Sequence, residues 1–593
     1  MRNPLLGVLA LLAWAWAAHA AGRIYQIAEP IPIQANVLQP MIDAPLVRNI
    51  DYYDYYDVRL GFCQPDAIER VDDNAVLLAG NRIYNSPIQL YMMANVHCVP
   101  ICTMPLPSGN ADFLKKRIHE QYAINWLIDG LPVAHYDEDV ENATLRMGFP
   151  IGRERPDGRF ELYNHYDFHL KYHNDNDTLR VVGASVTPKS YARGAGELQC
   201  STSNPKILGE GAAQVMYTYS VYWTPGDTTW GDRWRPYMVF DDALALRAFS
   251  AAAALILYFV VFRSSTRSKN DVVELTEDGQ VVEMPDTFPE LLLRPQRLYE
   301  LSLMSGTGAQ LLVVAAATMI CGAVGIITPA PGSVVATLCV LWALAGIVSG
   351  FVSMYTHRLF RGEGLPMVLA AGAFPALVLA VSVFLSQLLA ARQSAAALPF
   401  STLVYLATML GLGTLPSLVG ALVGRRVRPD VPEHTGIPRP VPRFALYNHP
   451  RLYAVLAGLV SFSASNYQLT TIVYALLSNR AFASYGWLLA DFVLTLAIAM
   501  LMSIFCCVHQ LNEKDYRWQW QAFLAGGSGG IWLFVFGFLF WVHSTALPSL
   551  ATNALFMCYV TLLAALYFLV FGFAGLAASY WFIRKIYSRT HMD

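Results

Sequence analysis

Residues 554–583 read ALFMCYVTLLAALYFLVFGFAGLAASYWFI and contain no charged side chain. A helix needs roughly 20 mostly apolar residues to cross the ~30 Å hydrocarbon core of a bilayer, and this stretch exceeds that length. It is the last of eight apolar runs between Leu298 and Ile583, and a ninth run, Leu244–Phe262, precedes them across a polar loop. Because water cannot satisfy backbone groups in lipid, runs of this length predict transmembrane helices.

The nine predicted spans cover about 244–262, 308–328, 333–355, 366–390, 401–424, 452–474, 483–508, 521–543 and 554–583. The composition agrees, since 55% of the residues are hydrophobic and only 14% are charged. The formal net charge of −2 shows no charge excess that would suggest a nucleic-acid partner. The sequence therefore predicts a multi-pass protein whose first partner is the lipid bilayer.

The start of the chain has the features of a secretory signal. Arg2 precedes the apolar stretch Leu5–Ala18, which ends in the small-residue pattern Ala18-His19-Ala20. Cleavage after this pattern is favoured over an uncleaved anchor. The predicted divisions are a signal peptide 1–20, a lumenal β-rich domain 21–242, a first transmembrane helix 243–263, a cytosolic loop 264–305, an eight-helix transmembrane block 306–583 and a cytosolic tail 584–593.

The segment 21–242 alternates apolar and polar residues over short runs. Within Phe160–His173, Phe168, Leu170 and Tyr172 alternate with polar residues, and in Val215–Trp223 every second side chain is apolar or aromatic. Period-2 patterning with glycine, proline and asparagine between the runs predicts an antiparallel β-sandwich-type domain. A helical piece is expected near Asp112–Trp126.

Four of the nine cysteines fall in the predicted lumenal domain, namely Cys63, Cys98, Cys102 and Cys200. In an oxidising compartment they suggest one or two disulfides, with three possible pairings. Cys98 and Cys102 have the spacing of zinc ligands, but no second pair of close ligands accompanies them, so disulfides are favoured. Asn142 and Asn176 lie in N-glycosylation acceptor triplets.

The basic residues predict the orientation. The expected cytosolic segments carry 18 lysines and arginines, whereas the short lumenal loops carry only Arg392 and Arg480. Positive residues favour the cytosolic side of a membrane. The asymmetry predicts a lumenal N-terminal domain, an odd number of spans and a cytosolic tail.

Short motifs resemble one known family. They include Leu60-Gly-Phe-Cys63, Asn95-Val-His-Cys98, Trp126-Leu-Ile-Asp129, Tyr219-Ser-Val-Tyr-Trp223, Ile437-Pro-Arg439, Asp515-Tyr516 with Trp518 and Trp520, and the ending Lys585-Ile-Tyr587 to Asp593. In this order, together with nine spans, they resemble the nonaspanins, the transmembrane-9 superfamily. The resemblance implies a lumenal β-sandwich-type domain on a nine-helix bundle in Golgi and endosomal membranes. It also implies a non-enzymatic role in sorting other membrane proteins, notably clients with glycine-rich spans.

The tail departs from the family pattern. Family members usually end in Lys-x-Asp/Glu, a signal that binds the COPI coat, whereas this chain ends in His591-Met592-Asp593. An imidazole near neutral pH offers less positive charge than a lysine. The resemblance therefore leaves two outcomes open: coat binding with Golgi retention, or passage to the cell surface.

Polar side chains inside the predicted spans are candidates for function. Asp491 falls in the seventh span, and Asn466 and Gln468 fall in the sixth. An intramembrane acid is a functional candidate by default. Asp491 could carry a proton, pair with a polar group or contact a client helix; the alternative is a hydrogen bond within the bundle near the lumenal end.

Other motifs favour structural interpretations. His165, His169 and His173 are spaced by four, but on a strand such neighbours are ~13 Å apart, too far for one metal ion. A solvated or partly packed strand face is favoured, and no cofactor is expected. Trp518 and Trp520 fit an interfacial aromatic belt. The soluble part has no nucleophile elbow, P-loop, dinucleotide fingerprint or zinc-protease motif, so an enzyme is not expected.

Small residues in the spans allow helices to approach closely. The candidates are Gly346, Gly350, Gly526, Gly527, Gly529, Gly530, Gly572 and Gly575. Packing within the bundle is the favoured interpretation, and a groove for a client's span is the functional one. The leading hypothesis is a sorting factor. The rival is a transporter or channel that uses Asp491, Asn466 and Gln468, and a scaffold or adhesion receptor is a third option.

Overall fold

A computed structural model of the chain describes residues 23–41, 48–70, 73–136, 145–175, 178–193, 200, 204–209, 213–239, 291–327, 332–362, 367–391, 394–395, 397–427, 429, 450–477, 481–482, 485–512, 515–547 and 549–587. The predicted signal peptide, the first predicted span and most of the cytosolic loop lie outside the described residues. So do Asn142, Asn176, His591 and Asp593.

The N-terminal half is rich in strands. They are β1 Pro30–Ile31, β2 Ile33–Ala35, β3 Gln39–Pro40, β4 Tyr84–Asn85, β5 Leu90–Tyr91, β6 Val96–Leu106, β7 Tyr122–Ile124, β8 Trp126–Ile128, β9 Leu131–Pro132, β10 Ala134–Tyr136, β11 Leu145–Met147, β12 Phe149–Pro150, β13 Gly152–Glu154, β14 Phe160–Leu162, β15 His165–Asp175, β16 Thr178–Lys189, β17 Ala213–Pro225 and β18 Met238–Val239. Two helices, α1 Asn74–Leu78 and α2 Ser108–His119, interrupt them.

The largest sheet has six strands in the order β11-β10-β16-β15-β17-β6. Most neighbours are antiparallel, but β15 pairs with β17, and β10 with β16, in parallel. Alternation along a strand fixes which side chains share a face but says nothing about strand direction, so the sequence could not show these parallel pairs. The smaller sheets pair β2 with β4 and β8, and β7 with β3 and β12.

The core of this domain follows the predicted alternation. Val215, Tyr217, Tyr219, Val221 and Trp223 of β17 are all buried. They join one apolar cluster centred on the buried Trp126. The helical piece expected near Asp112–Trp126 is correct at its start and wrong at its end. Gln121 adopts a left-handed conformation (φ 57°) that turns the chain from α2 into β7.

The C-terminal half is helical. Its helices are α3 Leu298–Ala323, α4 Ser333–Leu359, α5 Met367–Ala391, α6 Phe400–Leu412, α7 Thr414–Arg426, α8 Pro450–Leu477, α9 Tyr485–Asn512, α10 Trp518–Gly527, α11 Gly529–Ser544 and α12 Leu550–Tyr587, with β19 Ala481–Phe482 between α8 and α9. A β-rich domain followed by an all-α block confirms the predicted fold class.

Within the described residues, six helical segments are long and apolar enough to cross a membrane. Two of these segments each consist of two consecutive helices, α6 with α7 and α10 with α11. Helices α5 and α8 lie at the fourth and sixth predicted spans. The helices thus match eight of the nine predicted positions, and the first lies outside the described residues.

The β-rich domain lies on one end of the helix bundle. The backbone N–H of Ala395, between α5 and α6, donates to the carbonyl of Tyr52 (2.8 Å), and Arg82 donates to the carbonyl of Ala397 (2.9 Å). Thr402, in the first turn of α6, donates to Asn74 (3.1 Å). Strand β18 pairs with β19 beside the start of α9. We call this end of the bundle the domain-side end and the opposite end the far end.

The described residues on either side of segment 240–290 lie at opposite ends of the bundle. Val239 pairs with Phe482 at the domain-side end. The chain is described again from Leu291, whose carbonyl accepts hydrogen bonds from Trp518 and Gln519 at the start of α10. That start lies at the far end, because α11 leads from α10 back to the domain-side start of α12. The basic residues Arg358, Arg425 and Arg584 also lie at the far end, in the last turns of α4, α7 and α12.

Candidate functional site in the helix bundle

The four cysteines of the β-rich domain form two disulfides, Cys63–Cys102 and Cys98–Cys200. Of the three pairings that the sequence allows, this one joins β6 to two different segments. Cys98 and Cys102 therefore belong to separate disulfides and do not form a pair of zinc ligands.

The three histidines spaced by four have different surroundings. His165 is buried, and its ring contacts Asp167 (Nε2 to Oδ1, 2.9 Å) and Thr218 (Nδ1 to Oγ1, 2.7 Å). His169 stacks on Tyr222, and burial lowers the pKa of its imidazole. His173 contacts the carbonyl of Gly226 through Nδ1 (3.2 Å).

The buried polar group around His165 was not visible in the sequence. Asp167 also accepts a hydrogen bond from Lys189 (2.7 Å), and Arg193 donates to Thr218 (2.7 Å). Period-2 alternation places Asp167 on the polar face of β15. Residues 189–193 and Cys200 then cover that face. The alternation does not predict this cover, because it indicates only which side chains share a face.

In the bundle, the predicted glycines of α4 lie against α7. A Cβ at Gly346 would overlap the carbonyl oxygen of Gly413, and one at Gly350 would overlap that of Ser417. The fit is mutual, since a Cβ at Gly420 would overlap the carbonyl of Ile347. The two backbones are in direct contact along this seam.

A second seam joins α10 and α11 to α12. A Cβ at Gly526, Gly527 or Gly530 would overlap the carbonyl of Phe571, Phe568 or Ala564, respectively. A Cβ at Gly529 would overlap the ring of Tyr567, and one at Gly572 would overlap the ring of Phe523. A Cβ at Gly575 would lie 2.9 Å from the carbonyl oxygen of Ala522. All eight candidate glycines thus contact neighbouring helices of this chain, so a groove for another protein's span would need a different surface.

Such a surface exists in the domain-side half of the bundle. The buried side chains of α3 lie between Leu298 and Val314, those of α4 between Ala345 and Leu359, and those of α9 between Thr495 and Leu511. From residue 315 to residue 323 of α3, all of which the structure describes, no side chain is buried. Yet α3 packs against α4, α9 and α12.

Helices α3, α4 and α9 are closely packed in the far half and leave more surface accessible in the domain-side half, which we call the splayed half. Helix α6 supports this, because its one buried residue is Thr402, which bonds to the β-rich domain. At this end α5 and α12 stay in contact through Leu385, Leu389 and Leu555. At the domain-side end α3 still meets the ring of Tyr485 through Gly322, so the space does not open between α3 and α9. The splayed half therefore offers apolar, accessible helix surfaces beneath the β-rich domain.

The predicted intramembrane polar residues lie in α8 and α9. Asp491 is partly exposed in the second turn of α9, and Asn466 is partly buried in α8. The side chain of Gln468 lies outside the described residues. Within the described structure, Oδ1 of Asn466 has no hydrogen-bond donor. Phe462, one turn before Asn466 in α8, belongs to an apolar cluster, and Phe492, which follows Asp491 in the chain, packs against the same cluster.

Trp518 does not lie in an interfacial aromatic belt, and that interpretation was wrong. Its side chain is fully buried, and its indole N–H donates to the Leu291 carbonyl (2.9 Å). Trp520 donates likewise to the carbonyl of Gln296 (2.7 Å). The aromatic-belt rule assumes that a tryptophan at a span's end meets lipid headgroups, whereas here the chain entering α3 covers it.

Together, the β-rich domain and the long apolar helices define a multi-pass membrane protein. A family model described as Endomembrane protein 70 matches residues 52–550. The chain belongs to this family, the transmembrane 9 superfamily.

Curated relatives agree with this assignment. A transmembrane 9 superfamily protein of Schizosaccharomyces pombe is 32% identical, over 95% of this chain and 93% of its own length. Transmembrane 9 superfamily member 1 of Saccharomyces cerevisiae is 29% identical, over 91% and 89%, and member 10 of Arabidopsis thaliana is 25% identical, over 91% of each. No solved structure matches the chain.

Gly350→Leu is expected to destabilise the bundle, because the new side chain would push α4 away from α7. Overpacking of a closely packed contact costs about 1–3 kcal/mol or more. A lower midpoint of thermal unfolding of the full-length protein in detergent would show it. The matched control is Gly411→Leu, since a Cβ at Gly411 meets nothing within 4 Å. Equal midpoints for the two variants would contradict the seam.

Asp167→Asn is expected to destabilise the β-rich domain at neutral pH. Burial raises the pKa of Asp167, but the hydrogen bonds from His165 and Lys189 outweigh it and lower the pKa to about 2. This depressed pKa stabilises the fold by about 2 kcal/mol above pH ~4, and the stabilisation is lost as pH falls through 2. The difference in unfolding midpoint from the wild type should therefore be large at pH 7 and shrink below pH 4. The exposed Asp227→Asn is the control; a difference independent of pH would refute the assignment.

Proposed function

We propose that this protein sorts other membrane proteins in Golgi and endosomal membranes and helps to determine their membrane localisation. It acts without catalysis, by binding the spans of client proteins. The β-rich domain is lumenal, the far end of the bundle is cytosolic, and residues 584–593 form a cytosolic tail. Clients with glycine-rich spans are the expected substrates.

One observation carries this proposal: the splayed domain-side half of the bundle. A span is about 10 Å thick, and it binds where helices leave apolar surface accessible to one another within lipid. A client span with small residues on one face allows the closest approach to α3. The far half already holds its own glycine contacts, so it offers no comparable space.

The position of the β-rich domain supports the same proposal. The domain contacts the bundle at Ala395, Ala397 and Thr402, directly above the splayed half. A client whose span lies there would place its lumenal part beside this domain. Both parts of the protein would then contribute to recognition.

The rival function, transport of an ion or small solute, needs a continuous polar path across the membrane. Phe462, one turn before Asn466, belongs to an apolar cluster, and the far half is closely packed among the described residues. These observations favour client binding.

A photo-crosslinking residue placed at each position from 315 to 323 of α3 tests the proposal. The probe client is a single-span reporter with a glycine-rich span, and its matched control has a leucine-rich span. Crosslinking should be at least severalfold stronger for the glycine-rich reporter and should repeat along one face of α3. The same residue at Ala577, exposed in the far half of α12, should capture neither reporter.

Equal crosslinking of the two reporters would contradict selective client binding. If deletion of the protein left the surface level of the glycine-rich reporter unchanged and instead abolished an ion or solute flux, the transport function would replace this proposal.

The tail is proposed to bind the COPI coat weakly. Because His591 is mostly neutral near pH 7 and lysine is charged, His591→Lys should shift the tagged protein toward the Golgi. Deletion of Asp593 should shift it toward later compartments and the cell surface. Fluorescence microscopy with a Golgi marker measures both shifts, and Met592→Leu is the control. An unchanged distribution in both variants would remove the tail from the mechanism.

A further inference from the structure

The two disulfides of the β-rich domain have different chemical surroundings. Cys63 is 6% exposed and belongs to the apolar core, and Cys102 packs against that core. Cys102 is partly exposed, as are Cys98 and Cys200. Cys63 lies among buried apolar side chains such as Phe62 and Leu60, whereas the second disulfide lies on the polar face of the six-stranded sheet.

Polar groups surround one sulfur of the second disulfide. Arg193 Nη2 lies 3.2 Å from the Sγ of Cys200, His165 Nδ1 lies 3.6 Å from it, and Thr218 Oγ1 lies 3.7 Å from it. At Cys98, the backbone N–H donates to Ser220 Oγ (3.1 Å). The hydrogen bonds found among the described residues do not include the Cys98 sulfur.

This asymmetry has a chemical consequence. A guanidinium stays charged at every physiological pH, and a positive neighbour stabilises a thiolate over a thiol. In thiol–disulfide exchange, the sulfur with the lower thiol pKa leaves faster. Cys200 is therefore the favoured leaving group, and Cys98 is the sulfur that an incoming thiolate attacks.

We propose that Cys98–Cys200 is a redox-exchangeable disulfide whose reaction partner is a small thiol or a dithiol oxidoreductase, while Cys63–Cys102 is structural. The attacking thiolate forms a bond to the sulfur of Cys98. The sulfur–sulfur bond breaks, and its electron pair leaves on Cys200 as a thiolate that Arg193 stabilises. A second thiolate then attacks the mixed disulfide and releases Cys98, which takes a proton from water. The thiols are oxidised to their disulfide, and the protein is reduced by the same two electrons.

Exchange at this position would change the surface of the β-rich domain. The ring of Tyr191 packs against His165, with centroids 5.2 Å apart. Further along the chain, Cys200 is joined to β6 by its disulfide with Cys98. Reduction removes this link and leaves the cover over His165 and Thr218 held by noncovalent contacts such as those of Tyr191 and Arg193. The redox state therefore controls whether this buried polar group can be uncovered.

The test uses the full-length protein in detergent, exposed to reduced glutathione at pH 7.5 for increasing times. Free thiols are then alkylated, and each cysteine is quantified by mass spectrometry. Alkylation of Cys98 and Cys200 should rise at least tenfold faster than that of Cys63 and Cys102. Arg193→Gln should slow the reduction of Cys98–Cys200 roughly tenfold, and Arg193→Lys should slow it less.

Two controls keep the result interpretable. Arg159→Gln removes an exposed arginine that pairs with Asp157, and it should leave both rates unchanged. If Arg193→Gln merely unfolded the domain, Cys63–Cys102 would become reducible as well, so its resistance shows that the fold persists. Equal reduction rates for the two disulfides in the wild type would overturn the proposal, and so would an unchanged rate in Arg193→Gln with Cys63–Cys102 intact.

Discussion

Direct backbone contact between helices, made at glycines, is the constraint on which the rest of the bundle depends. Between helices in lipid the hydrophobic effect supplies little attraction, so close packing must hold them together. Gly350 against Ser417, and Gly526 against Phe571, bring backbones as near as backbones can come. Because most of these contacts lie in the far half, the helices are fixed there and can diverge toward the β-rich domain.

Because the helices diverge toward the β-rich domain, contacts with that domain help to hold them at this end. Ile50 of that domain packs against the apolar cluster formed by Leu385 and Leu389 of α5 and Leu555 of α12. The backbone of Tyr52 exchanges hydrogen bonds with Ser394 and Ala395. Each such bond contributes only about 1 kcal/mol, but together they join the segment between α5 and α6 to the β-rich domain. The domain therefore limits how far the splayed half can open.

The sequence predicted the parts of this fold that depend on local composition. Apolar runs located the helices, most of them to within a few residues and α3 to within ten, since a span must be long and apolar wherever it sits. Alternation identified the buried face of β17, because every second side chain of a strand lies on the same face of the sheet. The glycines were also visible, but their partners were not. Whether Gly350 meets Ser417 or a client depends on which helices become neighbours, and a single sequence carries no signal for that.

Burial of polar and aromatic groups was the least predictable feature, and here again long-range assembly decides. Trp518 is buried because the segment at Leu291 returns to the bundle and supplies a carbonyl for its indole N–H. Asp167 is buried next to Lys189, the last residue of the neighbouring strand β16, whose ammonium group pairs with its carboxylate. In both cases the partner lies far along the chain or across a sheet, where neither period nor motif can reach.

The chain's own path supplies an argument about orientation that is independent of charge counting. Val239 is held at the domain-side end, and Leu291, where the described chain resumes, is held at the far end. The path then continues from Leu298 back toward Gly332, where a left-handed glycine (φ 83°) lies against Val76 of the β-rich domain. Helix α4 leads to the far end before the chain returns to the β-rich domain at Ala395. Helices α6 and α7 lead to the far end again before the chain returns at Phe482. Since the final helix α12 starts beside Ile50 and runs to the far end, the domain and the C-terminal end of α12 lie on opposite sides.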